Sequence, residues 1–175
     1  MDAVKFPEDR FAFDIPLSEA RAWFNKTLNE GVQVVCPCCY DESQIYKRSF
    51  SAGMALSLLI FYKDLLRSGK DWIHIKDIHD HRFHMNHEHA RLRHWGVIKK
   101  HQDLKATWKM TDKGIAFIKG EIRIPEFIVE YRSELLRYEG REVLFRDCLS
   151  KDNWFDLDQL LSRRVTGLNY SVGGN

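Results

Sequence analysis

Residues 72–118, WIHIKDIHDHRFHMNHEHARLRHWGVIKKHQDLKATWKMTDKGIAFI, contain the pattern that decides the fold. Short β-like runs alternate here with segments in which apolar residues recur at helical spacing. The pattern predicts, in order, a strand at 72–75, a short helix or turn at 76–81, a helix from Met85 to Gly96, strands at 97–100 and 106–110 around the loop 101–105, and a helix from Thr111 through Ile118. Small elements therefore follow one another closely in this part of the chain.

A longer helix is predicted directly before this stretch. Ser49 or Ser51 is its N-cap and Gly69 ends it. Apolar residues recur along one of its sides: Met54, Leu58, Phe61, Tyr62, Leu65 and Leu66. Helix, strand, short helix, helix and two-stranded hairpin is the element order of a winged helix, a helix-turn-helix variant whose third helix usually enters the major groove of DNA. We therefore expect an α+β protein with a winged helix-turn-helix core.

Two motifs carry a resemblance to known proteins. Leu92 and Trp95 followed by Gly96-Val97-Ile98 resembles the helix end and strand entry of winged-helix regulators, and WKMTDKGIAFI (108–118) resembles the second wing strand and following helix of the multiple-antibiotic-resistance regulator class. This resemblance covers roughly Ser51 to Lys119. The wider arrangement is similar to uncharacterised phage and prophage proteins, through the segments CPCC, RLRHWG, WKMTDKGIAFIKGEIRIP and RDCL. The resemblance implies a winged-helix fold and a regulator that binds DNA, and it implies no catalytic activity.

The composition is that of a soluble globular chain, since 44% of the 175 residues are hydrophobic and 30% are charged. The longest apolar stretch, Met54–Tyr62, is far shorter than the roughly 20 residues of a membrane-spanning helix. The first residues include several acids and have no signal-peptide pattern. We expect a cytoplasmic protein that does not enter a membrane.

Charge is distributed unevenly, although the formal net charge is only +2. Between Arg82 and Lys113 there are eight Lys or Arg residues, three acids and five histidines, whereas residues 121–158 contain six basic and ten acidic residues. A basic segment fits the phosphates of duplex DNA, and an acidic one fits a protein partner or self-association better than DNA.

The candidate DNA contacts lie on the predicted third helix and on the hairpin after it. Asn and Arg side chains can pair with base edges, and Lys side chains with the phosphate backbone. The candidates are Asn86, His87, Arg91, Arg93, His94, Lys99, Lys100, Lys105 and Lys109. With 100° of rotation per residue, Leu92 and Trp95 fall on the opposite, buried side of the helix, and Trp108 is also predicted to be core.

Cysteines form the second candidate site. Three of the four lie in the tetrapeptide 36–39, and Cys148 is far away in sequence, so a disulfide framework is excluded. Cys36 and Cys39 form a CxxC pair that can supply two of the four ligands of a structural zinc ion. The other ligands are open, and the alternative is that the cysteines are simply reduced or buried. Histidine candidates for the remaining ligands are His74, His79, His81 and His84.

The flanking regions complete the predicted organisation. Residues 1–50 are an N-terminal arm, a helix from Ser18 to Glu30 and a cysteine-containing hairpin between strands near 32–35 and 44–48. The winged helix spans 51–120, a small antiparallel sheet with a last helix from Asp156 to Arg163 spans 121–165, and 166–175 is a flexible tail. The segment from Phe127 to Phe145 offers strand edges and three aromatic residues that we expect to be exposed, Phe127, Tyr131 and Tyr138, so a homodimer is the expected assembly.

No pattern of a catalytic site is present. The sequence has no HExxH, GxxxxGK[ST], GxSxG or GxGxxG motif. We therefore expect a protein that is not an enzyme and that binds duplex DNA as a transcriptional regulator. The alternative is a phage-type interaction protein, without catalytic activity, that binds and inhibits a host protein.

Overall fold

The computed structural model describes Lys5 and residues 15–80 and 87–149. These residues form a mixed α+β structure with small sheets, as expected. In chain order its elements are α1 (Leu17–Asn29), β1 (Val34–Val35), β2 (Glu42–Ser43), β3 (Tyr46–Ser49), α2 (Ala52–Ser68), β4 (Trp72–His74), a 3₁₀ turn (Ile75–Asp77), a 3₁₀ segment (His87–Trp95), β5 (Ile98–Lys100), β6 (Thr107–Met110), α3 (Asp112–Ile118), β7 (Ile124–Tyr131), β8 (Glu134–Val143) and a last 3₁₀ turn (Phe145–Cys148).

The chain divides into two compact units, Met1–Arg48 with Phe127–Glu139 and Ser49–Glu126 with Gly140–Asn175. The segment predicted as one extension from 121 to 165 is thus divided between the two. The predicted last helix (156–163) and flexible tail (166–175) lie outside the described residues.

The first unit contains α1 and the hairpin of β1 and β2. The helix begins at Leu17 after Pro16 and has no side-chain cap, so the predicted cap residue Ser18 lies within its first turn. Proline before the helix already has a suitable φ and no N–H group to satisfy. The face of α1 that contains Ala20, Thr27 and Leu28 is buried.

The predicted partner of the first strand is wrong. β1 pairs with Glu42–Ser43, in the register Val34↔Ser43 and Val35↔Glu42, and not with residues 44–48. The Cys36 N–H donates to the Asp41 carbonyl at 2.9 Å, which closes the hairpin around a short loop. Residues beyond Ser43 are left for another partner, and β3 joins the sheet β3-β7-β8.

Helix α2 follows its sequence signals closely. Of the two candidate caps Ser51 is the N-cap, and its Oγ accepts a hydrogen bond from the Met54 N–H at 3.2 Å. Gly69 ends the helix in the left-handed conformation, with φ of 65°. Most residues of α2 are buried, which makes it the central helix of the second unit.

The 72–110 segment forms an antiparallel sheet of order β4-β6-β5. The predicted α-helix from Met85 to Gly96 is corrected, because residues 87–95 form a 3₁₀ segment; Met85 and Asn86 lie outside the described residues. In a 3₁₀ helix, side chains three residues apart eclipse. Leu92 and Trp95 therefore share one side, and both are buried as predicted, as is Trp108.

Aromatic side chains hold the second unit together. Phe50 makes edge-to-face contacts with Trp95 and Phe117, with ring centroids 5.2 and 5.4 Å apart, and Phe117 makes the same kind of contact with Phe145 at 5.4 Å. Trp95 Nε1 donates to the Pro125 carbonyl at 2.7 Å. The buried indole thus has a partner for its N–H group, as buried tryptophans usually do.

Candidate nucleic-acid interface

The candidate DNA contacts of the predicted third helix lie on different sides of the 3₁₀ segment. Arg93 is exposed, whereas Arg91 and His94 are half-buried. Because residues three apart eclipse, Arg91 and His94 share a side with Glu88, and Arg91 Nη1 lies 3.8 Å from Glu88 Oε1. The nearby carboxylate lowers the positive potential that Arg91 offers to an anion. Asn86 and the side chain of His87 lie outside what the structure describes.

Glu88 is itself held by the cap of α2. Ser51 Oγ donates to Glu88 Oε2 at 2.8 Å while accepting from the Met54 N–H. One serine therefore both caps the helix and anchors the 3₁₀ segment. This contact ties the 3₁₀ segment to the start of α2.

The hairpin lysines lie on both faces of the sheet. Lys99 and Lys100 are exposed on the edge strand β5, Lys105 is exposed in the loop, and Lys109 on β6 is half-buried. Side chains alternate along a strand, so Lys99 and Lys100 point to opposite faces. Lys109 Nζ pairs with Asp71 Oδ2 at 2.5 Å.

One face of this sheet combines lysines with an aromatic residue that the sequence analysis did not assign. The register aligns Trp72, Lys109 and Lys99 in a single row across the three strands. Lys99 Nζ lies 5.6 Å from the centre of the Trp72 ring, and the His101 ring lies 4.6 Å from it. The period-2 alternation of 72–74 and 107–109 could have placed Trp72 and Lys109 each on one face of a strand, but their pairing needed the sheet register.

The loop of the hairpin is ordered although it has no glycine. Ala106 takes the left-handed conformation, with φ of 51°, and its carbonyl accepts from the Ile75 N–H at 3.0 Å. His101 Nδ1 accepts from the backbone N–H groups of Asp103 and Leu104, each at 3.1 Å. A histidine side chain and one strained alanine thus form the turn in which glycine is more usual.

The cysteine tetrapeptide forms the tip of the β1-β2 hairpin. Tyr40 has φ of 59°, and its N–H donates to the Cys36 carbonyl at 2.9 Å. Cys36 is half-buried, and Cys38 and Cys39 are exposed.

The pKa values of two of these thiols are shifted in opposite directions. Burial alone would raise the pKa of Cys36, but hydrogen bonds from the backbone N–H groups of Cys38 and Cys39 and from their thiols lower it. The pKa of Cys39 is raised. A hydrogen bond from the Asp41 backbone N–H acts to lower this pKa, but the interaction with the Cys36 thiol and burial both raise it and outweigh that bond.

The other metal-ligand candidates are not gathered around this tip in the part of the chain that is described, which holds no group of three or more His, Cys, Asp or Glu residues arranged to hold a metal ion. His74 Nδ1 accepts from the Lys76 N–H at 3.1 Å. His81 and His84 lie outside the described residues. The two CxxC thiols are therefore the candidate metal ligands.

Comparison with protein-family models, with curated proteins and with solved structures found no match to this chain. Among the described residues, the helices are too short or too polar to cross a membrane. The functional argument therefore depends on the chemistry of the residues themselves.

Proposed function

We propose that the chain binds duplex DNA through residues 87–110 and acts as a transcriptional regulator of the winged-helix type. The observation that carries this proposal is the connectivity of the second unit. Helix α2 leads to β4, helical segments separate β4 from β5, and the hairpin β5-β6 returns so that β6 pairs with both β4 and β5. This order of elements is similar to that of a winged helix, in which a helix and a hairpin contact DNA together, and it therefore supports the proposal.

Charge on the hairpin supports phosphate contact. Lys99 and Lys109 are directly opposite each other in the β5-β6 pair. Like charges in that position repel and destabilise a strand pair unless an anion compensates them. Asp71 compensates Lys109 in the free protein, and DNA phosphates would compensate Lys99. The half-buried Trp72 beside these lysines offers an apolar edge against a sugar of the DNA backbone.

The short 3₁₀ segment favours binding dominated by phosphates. Arg93 is its exposed arginine, and Arg91 is close to the Glu88 carboxylate. We therefore assign base contact to Arg93 and backbone contact to Lys99, Lys100 and Lys105. In such an interface most of the affinity is electrostatic and falls steeply with salt.

Fluorescence anisotropy with labelled random-sequence duplexes at several salt concentrations tests this proposal. Lys99→Ala and Lys100→Ala should each weaken binding to all duplexes and reduce the salt slope by about 0.9. Asp71→Asn should strengthen binding, because it removes a negative charge and releases Lys109 from its ion pair. Lys26→Ala, which changes the same charge in the last turn of α1, is the matched control and should bind like the wild type.

Two results would contradict DNA binding by this surface. One is the absence of any duplex binding at about 50 mM salt. The other is an equal effect of Lys99→Ala and Lys26→Ala. Arg93→Ala tests base contact separately, since it should cost about 1–3 kcal/mol on a preferred sequence and less on random duplexes.

A second candidate function is binding to a protein partner. Leu136 and Tyr138 are 48% and 45% exposed on β8, which is an edge strand of its sheet. Edge strands with exposed apolar side chains pair readily with other chains. Of the other aromatics predicted to be exposed, Phe127 and Tyr131 are half-buried, and the Tyr131 hydroxyl donates to Ser43 Oγ at 3.3 Å. Leu136→Glu should therefore abolish such an association, including a homodimer through this edge, without changing the DNA affinity of a monomer.

A further inference from the structure

We propose that a cleft at the C-terminal end of α2 binds a free amino acid through its ammonium and carboxylate groups. This site goes beyond the proposed DNA binding and does not depend on it. The cleft has a volume of about 260 Å³ and is lined by the last residues of α2, the loop after it, β4 and the 3₁₀ turn that follows. Clefts that bind drug-sized ligands have volumes of about 300–1,000 Å³, so this cleft suits a smaller molecule.

A buried carboxylate forms part of the wall of this cleft. Asp64 is only 7% exposed, although it lies in α2 beside buried apolar residues. Charged side chains are almost never buried without a partner. Among the described residues the partner is Arg67, one turn later on the same helix, whose Nη2 donates to Asp64 Oδ1. The Arg67 side chain is 58% exposed, so the carboxylate of this ion pair is inside and the guanidinium is accessible to a ligand.

The ion pair prepares Arg67 to bind a carboxylate. Asp64 holds one end of the planar guanidinium group, which fixes its orientation and leaves the donors of its other nitrogens for a ligand. Lys70 supplies a second positive charge to the cleft. Its backbone N–H donates to Ser68 Oγ at 3.3 Å, a contact that orders the loop directly after the helix. Arg67 and Lys70 are therefore the partners that we assign to the carboxylate of the amino acid.

The same cleft offers negative charge to an ammonium group. Asp77, which is exposed in the 3₁₀ turn, adds a second carboxylate to that of Asp64. The C-terminal end of the 17-residue helix α2 also favours a cation through its dipole. Ile73, which is 2% exposed, provides an apolar wall for the rest of the ligand.

The balance of charges selects a ligand that carries both signs. Two carboxylates, Asp64 and Asp77, and two cations, Arg67 and Lys70, line one small cleft. A ligand with a single charge would be attracted by one pair and repelled by the other. An amino acid carries an ammonium and a carboxylate group on the same carbon atom, so a small molecule of this class can contact both pairs at once.

The test is thermal unfolding of the full chain with each of the twenty common amino acids at millimolar concentration. Sodium acetate and methylammonium chloride at the same ionic strength are the ligands with one charge. We expect at least one amino acid to raise the melting temperature by about 3 °C when it is present at about ten times its Kd, and neither single-charge ligand to do so.

Calorimetric titration with the amino acid that gives the largest shift then locates the site. Lys70→Gln and Asp77→Asn change exposed side chains and should leave the fold intact. Each should weaken binding at least about tenfold, because each removes a charged partner of the ligand. Lys63→Gln removes the same charge as Lys70→Gln from an exposed position of α2 that does not line the cleft, and it should bind like the wild type.

Three results would overturn this site. The first is the absence of a shift with any of the amino acids. The second is an equal shift with acetate or methylammonium, which would show a site for a single charge. The third is unchanged affinity of Lys70→Gln and Asp77→Asn, which would place the ligand elsewhere. The first screen needs neither a variant nor a duplex, so misfolding of a variant or a failure of DNA binding cannot hide the result.

Discussion

Single residues in this protein have properties that depend on their immediate surroundings more than on their type, and Cys148 is the clearest example. Burial raises the pKa of its thiol to about 11, with further contributions from the charges of Asp147 and Glu126. Its Sγ donates to the Leu144 carbonyl at 3.4 Å. Thiolate is the reactive form, and an ordinary thiol, with a pKa of about 8.5, is substantially ionised near pH 8.

We predict that Cys148 reacts at least about 100-fold more slowly with iodoacetamide at pH 8 than the exposed Cys38, because about one thiol in a thousand is ionised there. The rate should rise about tenfold per pH unit until about pH 11. Mass spectrometry of each cysteine-containing peptide measures the rates. Chain unfolded in denaturant is the control, since the four cysteines should then react alike; equal rates in the folded chain would contradict the burial of this thiol.

The same shift has a consequence for stability. In the unfolded chain the Cys148 thiol loses its proton near pH 8.5, whereas in the folded chain it keeps the proton to about pH 11. The folded state binds more protons across this window, so its stability falls as the pH rises through it. Cys148→Ser should show a smaller fall in melting temperature between pH 8.5 and pH 11.

At the scale of elements, α3 packs closely against the residue before β5 because Gly114 of α3 has no side chain. A Cβ atom built on Gly114 would lie 2.2 Å from the Val97 carbonyl oxygen. The N-cap of α3 makes contacts in the same place, because Thr111 Oγ1 accepts from the Gly114 N–H and donates to the Gly96 carbonyl. The backbones are therefore held too close to accept a methyl group.

We predict that Gly114→Ala lowers the free energy of unfolding by about 1–3 kcal/mol, although alanine is the better helix former. Chemical denaturation followed by circular dichroism measures this. Lys113→Ala, at an exposed position of the same helix, is the control and should change stability by no more than about 0.5 kcal/mol. A stabilised Gly114→Ala variant would show that α3 moves away from Val97 easily.

The elements also show what local sequence patterns can and cannot predict. The caps of α2 and the buried positions of Leu92, Trp95 and Trp108 were predictable, because capping and apolar periodicity are local properties. The 3₁₀ geometry of 87–95 was not, since Leu92 and Trp95 are three apart and fit an α-helix nearly as well. The partner of β1 was also missed, because the choice between residues 42–43 and 44–48 depends on how tightly the loop 36–41 closes.

For the whole molecule, long-range pairing limits what the sequence predicts. Arg48 Nε contacts the Glu130 carboxylate at 3.3 Å across 82 residues, and Glu130 is only 5% exposed. A contact of this kind joins residues 127–139 to the N-terminal unit, and no sequence pattern within either segment predicts it. In the candidate site, by contrast, the lysines were found because they are close in sequence, whereas Trp72 needed the sheet register.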